Sequence, residues 1–196
     1  MQPSTRAALL TWLLAGLTLA AAEEKKVDLK VGDPAPAFTG TDERGQAWQS
    51  ADHVGKKYVV VYFYPGDFTP GCTRQAQLFR DDMNKLVARG VEVVGVSGDT
   101  VKTHELFKQA QQLNFTLLAD EDGGLARKFG VPLGKGGEVR ARSAQGQLVT
   151  VKRKVTAARW TFVLGKDGKI AYKNPRVIPT QDSKQVAAFI DKLEKK

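Results

Sequence analysis

The chain is poor in the groups that usually build sites. It has one cysteine and two histidines in 196 residues, so it cannot close a disulfide within itself and offers no Cys/His spacing for a metal. It has neither a G-x-G-x-x-G turn nor a phosphate loop, so no nucleotide and no bound organic cofactor is expected. The formal charge is +9, but lysines and arginines are spread along the whole length, "VKRKV" at residues 151–155 being the densest group, with no aromatic interleaving. That distribution argues against a nucleic-acid partner. Long apolar runs are missing too, with one exception. After "MQPSTR" comes "AALLTWLLAGLTLA", followed by two more alanines. The run is shorter than the roughly 20 residues that span a bilayer, carries one positive charge before it, and ends in A-x-A at Ala20 and Ala22. It reads as a signal peptide over residues 1–22, cut before Glu23. The expectation is an exported protein, periplasmic or extracellular, with no stable membrane insertion after cleavage; an uncleaved anchor is the alternative.

Residues 23–196 make one domain's worth of chain. A polar leader with X-Pro steps at Pro34 and Pro36 precedes "KKYVVVYFY" (residues 56–64), a β-branched and aromatic run typical of a strand buried on both faces. Residues 73–89 place Phe79, Met83, Leu86 and Val87 at helical spacing before Gly90, and "VEVVGVS" (residues 91–97) is a second buried strand. Residues 101–113 repeat the helical pattern through Leu106, Phe107, Ala110 and Leu113, and "FTLLAD" resumes extended structure. This alternation predicts right-handed βαβ crossovers and a largely parallel sheet. "GGLARKFG" predicts a short helix, "RWTFVLGKDGKIAYK" a hairpin, and Val186, Phe189, Ile190 and Leu193 the buried stripe of a last helix from Ser183. Residues 134–154 are Gly-rich, basic and assigned to no element. Trp48 and Trp160 read as packing residues. His53, in a polar loop, and His104, on a helix, read as solvated or capping side chains.

The single cysteine stands in "YPGDFTPGCTRQ" (residues 64–75), on the loop that leaves the first buried strand and enters a helix. Cys72 is expected in that helix's first turn, where unpaired N–H groups and the helix dipole favour a thiolate. A small buried hydrophobe is the other role a lone cysteine takes.

Pro65, Thr69 and Cys72 form P-x-x-x-T-x-x-C, which resembles the active-site motif of the peroxiredoxins. The surrounding "YFYPGDFTPGCTRQAQLFRD", with "GDPAPAF", "VSGDT", "FTLLAD" and "RWTFVLGKDGKI" in order, is similar to the branch of bacterioferritin comigratory protein and plant peroxiredoxin Q from about Val31 to the last helix. The resemblance implies an α/β, thioredoxin-like fold with a central mixed sheet flanked by helices. It also implies a peroxidase acting in cell redox homeostasis on hydrogen peroxide and organic hydroperoxides, with Cys72 as the attacking thiol and Arg159 beside it. Two family features are replaced: Gln77 stands where many relatives carry a second cysteine, and Gln75 where a glutamate is common. The first implies a one-cysteine cycle completed by an external thiol, thioredoxin-like or small, and the branch leans towards a monomer. A thioredoxin-like sensing module without turnover is the competing function.

In the implied reaction, thiolate supply is the smaller effect. An ordinary thiol is about 3% ionised at pH 7, so full ionisation gains roughly 30-fold, about 2 kcal/mol. The larger effect is stabilisation of charge on the departing oxygen, expected from Arg159 and the Cys72 N–H, with Thr69 aligning the peroxide and Pro65 shaping the pocket wall.

Overall fold

The computed structural model describes residues 27–195; the expected signal peptide lies outside them. At its centre are three strands, β3 (Tyr58–Phe63), β4 (Val91–Ser97) and β5 (Thr116–Ala119), joined in parallel by α1 (Pro70–Val87) and α2 (Val101–Gln111). Antiparallel strands extend this unit both ways: β1 (Thr39–Asp42) and β2 (Ala47–Gln49) beyond β5, and β8 (Trp160–Leu164) and β9 (Ile170–Asn174) beyond β3. The order is β2-β1-β5-β4-β3-β8-β9. The sheet is therefore mixed, and the parallel expectation holds only for its middle. Short hairpin turns leave no length for a crossover and make the β1–β2 and β8–β9 pairs antiparallel, whereas β1 meets β5 and β8 meets β3 across long connections.

The alternation of β3 explains why both its faces are covered. Val60 and Tyr62 point to a layer made with Ala76, Phe79, Met83 and Leu86 of α1, Phe107 of α2, and Val186 and Ile190 of α4 (Asp182–Glu194). Val59, Val61 and Phe63 point the other way, to Phe38, Trp48, Phe129 and Ala126 of α3 (Gly124–Lys128). The α1 stripe stops one residue short of expectation, because Val87 is 60% exposed in the last turn.

The unassigned segment is a two-stranded antiparallel ribbon, β6 (Leu133–Arg142) paired with β7 (Leu148–Ala157), separate from the main sheet. Its register runs from Leu133 opposite Ala157 to Arg142 opposite Leu148. Three glycines, Gly134, Gly136 and Gly137, weaken β6 as a strand signal. At Gly136 a Cβ would lie 2.1 Å from the Arg153 carbonyl, so the close approach of the two chains requires glycine there.

His53 takes the capping role, whereas His104 departs from both the solvated and the capping one. His53 closes the 3-10 turn Ser50–Asp52, stacks on Trp48 at 4.5 Å and meets Glu92 at 2.7 Å. His104 is wholly buried. Trp48 packs in the core as expected, and Trp160 is half-buried under Lys173, whose Nζ lies 4.8 Å from its ring.

Candidate active site

Cys72 occupies the third position of α1, two residues after Pro70, whose fixed φ and missing N–H suit a helix start. Its thiol is 1% exposed. The Cys72 N–H belongs to the first turn, where backbone donors lack intrahelical acceptors and the helix dipole presents its positive end.

Sheet register brings the second member. β8 runs antiparallel to β3 with Trp160 opposite Phe63, so the residue before Trp160 arrives where the chain leaves β3 for the cysteine loop. That residue is Arg159. Its Nη2 donates to Cys72 Sγ at 3.1 Å, and its Nη1 donates to Gln75 Oε1 in a short hydrogen bond. Gln75 lies one turn along α1 from Cys72, wholly buried, and its Nε2 donates to Asp182 Oδ2 at 2.6 Å. Thr161, opposite Tyr62 in the sheet, donates its hydroxyl to the same oxygen at 2.8 Å. Burial pushes the Asp182 carboxyl above the ordinary carboxylate range, against the pull of the Thr161 and Gln75 hydrogen bonds and of Arg159.

Thr69 is the N-cap residue, but its side chain does not cap the helix: Oγ1 donates to the Gly66 carbonyl at 3.0 Å. The hydroxyl thus closes the loop locally while its lone pairs remain available as acceptors. Pro65 lies two residues past the end of β3 and is half-buried at the loop entrance. Of the four residues expected at the site, Cys72 and Arg159 are in direct contact, and Thr69 and Pro65 lie on the same loop without a hydrogen bond to either.

A second cluster, which the sequence does not reveal, holds that loop. Tyr64 Oη donates to Asp67 Oδ1 at 2.7 Å, and the Asp67 N–H donates to Asp99 Oδ2 at 2.8 Å. His104 places Nδ1 2.8 Å from Asp67 Oδ2 and Nε2 3.1 Å from the Leu118 carbonyl. Both ring nitrogens face acceptors, which only the doubly protonated imidazolium satisfies. Burial alone would favour neutral His104, but Asp67, Asp99 and the Leu118 carbonyl outweigh it, so its pKa is raised. Asp99 is also pushed up, by burial and by the nearby Asp67, with Arg153 and His104 opposing. Arg153, from the ribbon strand β7, closes the cluster: Nε donates to Asp99 Oδ1 at 2.9 Å and Nη2 to the Asp67 carbonyl at 3.0 Å. A Cβ on Gly66 would fall 2.1 Å from the Arg153 guanidinium carbon, so a side chain there would displace Arg153 from the cluster. Phe68 in this loop takes φ +61, a costly conformation for an aromatic residue, held by the surrounding clamp and by edge-on contact with Phe107 at 5.1 Å.

The described residues contain no group of three or more His, Cys, Asp or Glu side chains suited to a metal ion, and no helix long and apolar enough to cross a membrane.

Comparison with known proteins gives the family and the fold. Residues 31–173 match the AhpC/TSA family. A chloroplastic peroxiredoxin Q of Oryza sativa subsp. japonica is 40% identical over 141 residues, 72% of this chain and 57% of the rice protein. The peroxiredoxin bcp of Coxiella burnetii is 38% identical over 151 residues, 77% of this chain and 91% of its own length. The chain thus spans little more than half of the plant relative and nearly all of the bacterial one. Peroxidoxin BcpB from Mycobacterium tuberculosis superposes with a TM-score of 0.70 at 26% identity, covering 85% of this chain and 99% of that one. Peroxiredoxin Q of Xanthomonas campestris does so with a TM-score of 0.64 at 28% identity, covering 79% and 90%. The shared architecture is the thioredoxin-like fold.

Proposed function

The chain belongs to the AhpC/TSA family, and we propose that it is a thiol-dependent peroxidase that reduces hydrogen peroxide and organic hydroperoxides at Cys72. The observation that carries this is the Arg159 Nη2 contact with Cys72 Sγ at 3.1 Å, made at the start of α1 on a nearly buried sulfur. A guanidinium there stabilises the thiolate and, in the transition state, faces the oxygen that acquires charge.

The thiolate attacks one peroxide oxygen in line. An S–O bond forms as the O–O bond breaks, sulfur is oxidised to the sulfenic acid, and the departing oxygen takes a proton to leave as water or alcohol. Thr69 Oγ, its own proton engaged with Gly66, accepts from the peroxide O–H and fixes its direction. Pro65, with no N–H to offer water, forms part of the wall beside the sulfenic acid.

With no second cysteine in these 196 residues, two equivalents of an external thiol return the sulfenic acid to thiol, releasing water and a disulfide. A thioredoxin-like protein or a small thiol fills this role. The proposed setting is outside the cytoplasm, reached through residues 1–22 as a cleaved signal, with the enzyme acting as a monomer.

Rapid mixing of reduced protein with hydrogen peroxide, with Cys72 followed by mass spectrometry, tests the first step. Oxidation far faster than that of free cysteine is expected, and equal rates overturn the proposal. Steady-state peroxide consumption with thioredoxin or glutathione distinguishes turnover from a single oxidation, which is all a sensing module would show. N-terminal sequencing of protein from the cell envelope tests the location, with Glu23 the expected first residue.

A further inference from the structure

Gln75 removes a charge from the place where Arg159 would otherwise meet a carboxylate, yet the structure holds a carboxylate one step further on. The amide of Gln75 is fixed at both ends: its oxygen accepts from Arg159 and its nitrogen donates to Asp182. Neither contact survives a flip of the amide, because a guanidinium cannot accept and an ionised carboxylate cannot donate. Asp182 opens α4, where the helix dipole favours a negative charge. One of its oxygens accepts from both Gln75 and Thr161, and the other, Oδ1, is buried with no hydrogen-bond partner among the described residues. A buried carboxylate with an orphan oxygen is costly to keep.

We propose that Asp182 is a positioning residue for the peroxidase reaction, acting on Arg159 through the Gln75 amide, so that this chain places at residue 182 the negative charge that orients the arginine fork against Cys72. The inference rests on the peroxidase function proposed above. Charge at Asp182 polarises the Gln75 carbonyl, which holds Nη1 and thereby aims Nη2 at sulfur. Because the charge sits one side chain away, Arg159 is oriented without being paired directly, and its field at the sulfur is less neutralised than by a carboxylate in contact.

Three variants isolate the effect. Asp182→Asn keeps an oxygen that accepts from Gln75 and Thr161 but removes the charge. Gln75→Glu sets a second carboxylate against Asp182 at hydrogen-bond distance. The double variant Gln75→Glu/Asp182→Asn moves the charge to position 75, where the introduced carboxylate accepts from both Arg159 and the new amide at position 182. Each is assayed for the rate of Cys72 oxidation by hydrogen peroxide and, separately, for alkylation by iodoacetamide, which needs thiolate but no guanidinium at a departing oxygen. Both single variants are expected to lower the peroxide rate on the order of tenfold. Alkylation of Asp182→Asn at high pH, where thiolate supply no longer limits, should not fall, and the double variant should recover most of the peroxide rate. Equal slowing of both reactions in Asp182→Asn, no slowing of either, or a double variant no faster than the slower single one overturns the inference. A parent protein that reacts with peroxide no faster than free cysteine overturns the peroxidase function itself, and this inference with it.

Discussion

Two buried polar clusters flank the cysteine loop, and they are built to opposite specifications. On the α1 side, Arg159, Gln75, Asp182 and Thr161 form a line that ends on the Cys72 sulfur and leaves one carboxylate oxygen without a partner. On the far side, Tyr64, Asp67, Asp99, His104 and Arg153 form a closed net in which no buried side-chain oxygen or nitrogen lacks a partner and two cations face two carboxylates. A saturated buried network rigidifies, whereas an under-satisfied one keeps capacity for a new charge. The closed net therefore sets the backbone conformation of residues 64–69, and under the proposed function the open line supplies the interactions that strengthen as the peroxide bond breaks.

The sharpest way to separate them is to remove one member of each. Cys72→Ser takes away the atom on which the open line converges and should abolish peroxide consumption while leaving circular dichroism and melting unchanged; residual turnover would place the chemistry elsewhere. Arg153→Met strikes the closed net. It strips Asp99 and the Asp67 carbonyl of their cationic partner, and breaking a buried pair from one side costs about 3–5 kcal/mol. Urea unfolding should show that loss. A variant as stable as the parent would mean that the net is not what holds the ribbon to the loop.

Arg159→Lys comes next in size. Lysine keeps the charge but loses the fork that reaches Gln75 and Cys72 together. A loss on the order of 2–4 kcal/mol in the peroxide reaction should persist at high pH, where thiolate supply no longer limits, while unfolding changes far less than in Arg153→Met. A deficit that vanishes at high pH would restrict Arg159 to thiolate supply, and a wild-type rate at all pH values would remove it from the site.

The two clusters are unequally legible in the sequence. The open line shows itself through Cys72 in its loop-to-helix setting and, by family resemblance, Arg159; Gln75 stands out only as a replacement. Asp182 stays hidden, because nothing in a helix start such as "TQDSKQV" tells a cap from a buried anchor. The closed net escapes for a different reason: its members look like errors in the patterns that reveal the fold. In β7, Val149, Val151, Val155 and Ala157 alternate on one face, and Arg153 breaks the alternation at an inward position, so the strand carries no clean period of two. In α2, His104 sits three residues before Phe107 on the buried stripe, where its polarity reads as a solvated side chain. A charged residue at a core position of a periodic segment marks an ion pair whose partner lies elsewhere, and sequence alone does not say where. The strands β3 and β4, by contrast, are plain because both their faces are apolar.

The smallest expected effect is also the one that tests whether the closed net is ionised as drawn. His104 is raised in the folded protein, with burial opposed and overcome by Asp67, Asp99 and the Leu118 carbonyl, while Arg153 and the Tyr64 ring complete its surroundings. A group raised on folding contributes stability that is complete below its unfolded value, about 6.5 for histidine, and is lost as pH rises through the folded value. In that window the folded state binds the extra proton, so unfolding free energy should decline with pH, by at most about 1.4 kcal/mol per pH unit for one group. The buried carboxyls of Asp99 and Asp182, raised mainly by burial, add a decline of the same sign above the ordinary carboxylate value of 3.8. Asp42 and Glu92 are lowered, their hydrogen bonds and nearby cations overcoming burial; they contribute stability above their ordinary values that is lost on acidification. The two carboxylate effects oppose each other, so the His104 contribution is read as the difference between proteins with and without that side chain, both carrying Cys72→Ser so that no thiol titrates in the same range. Urea unfolding from about pH 6 to about pH 9 should show stability falling in the parent, and His104→Asn should flatten the slope. A slope unchanged by His104→Asn would mean that His104 is neutral in the fold, with one ring nitrogen facing an acceptor it cannot serve.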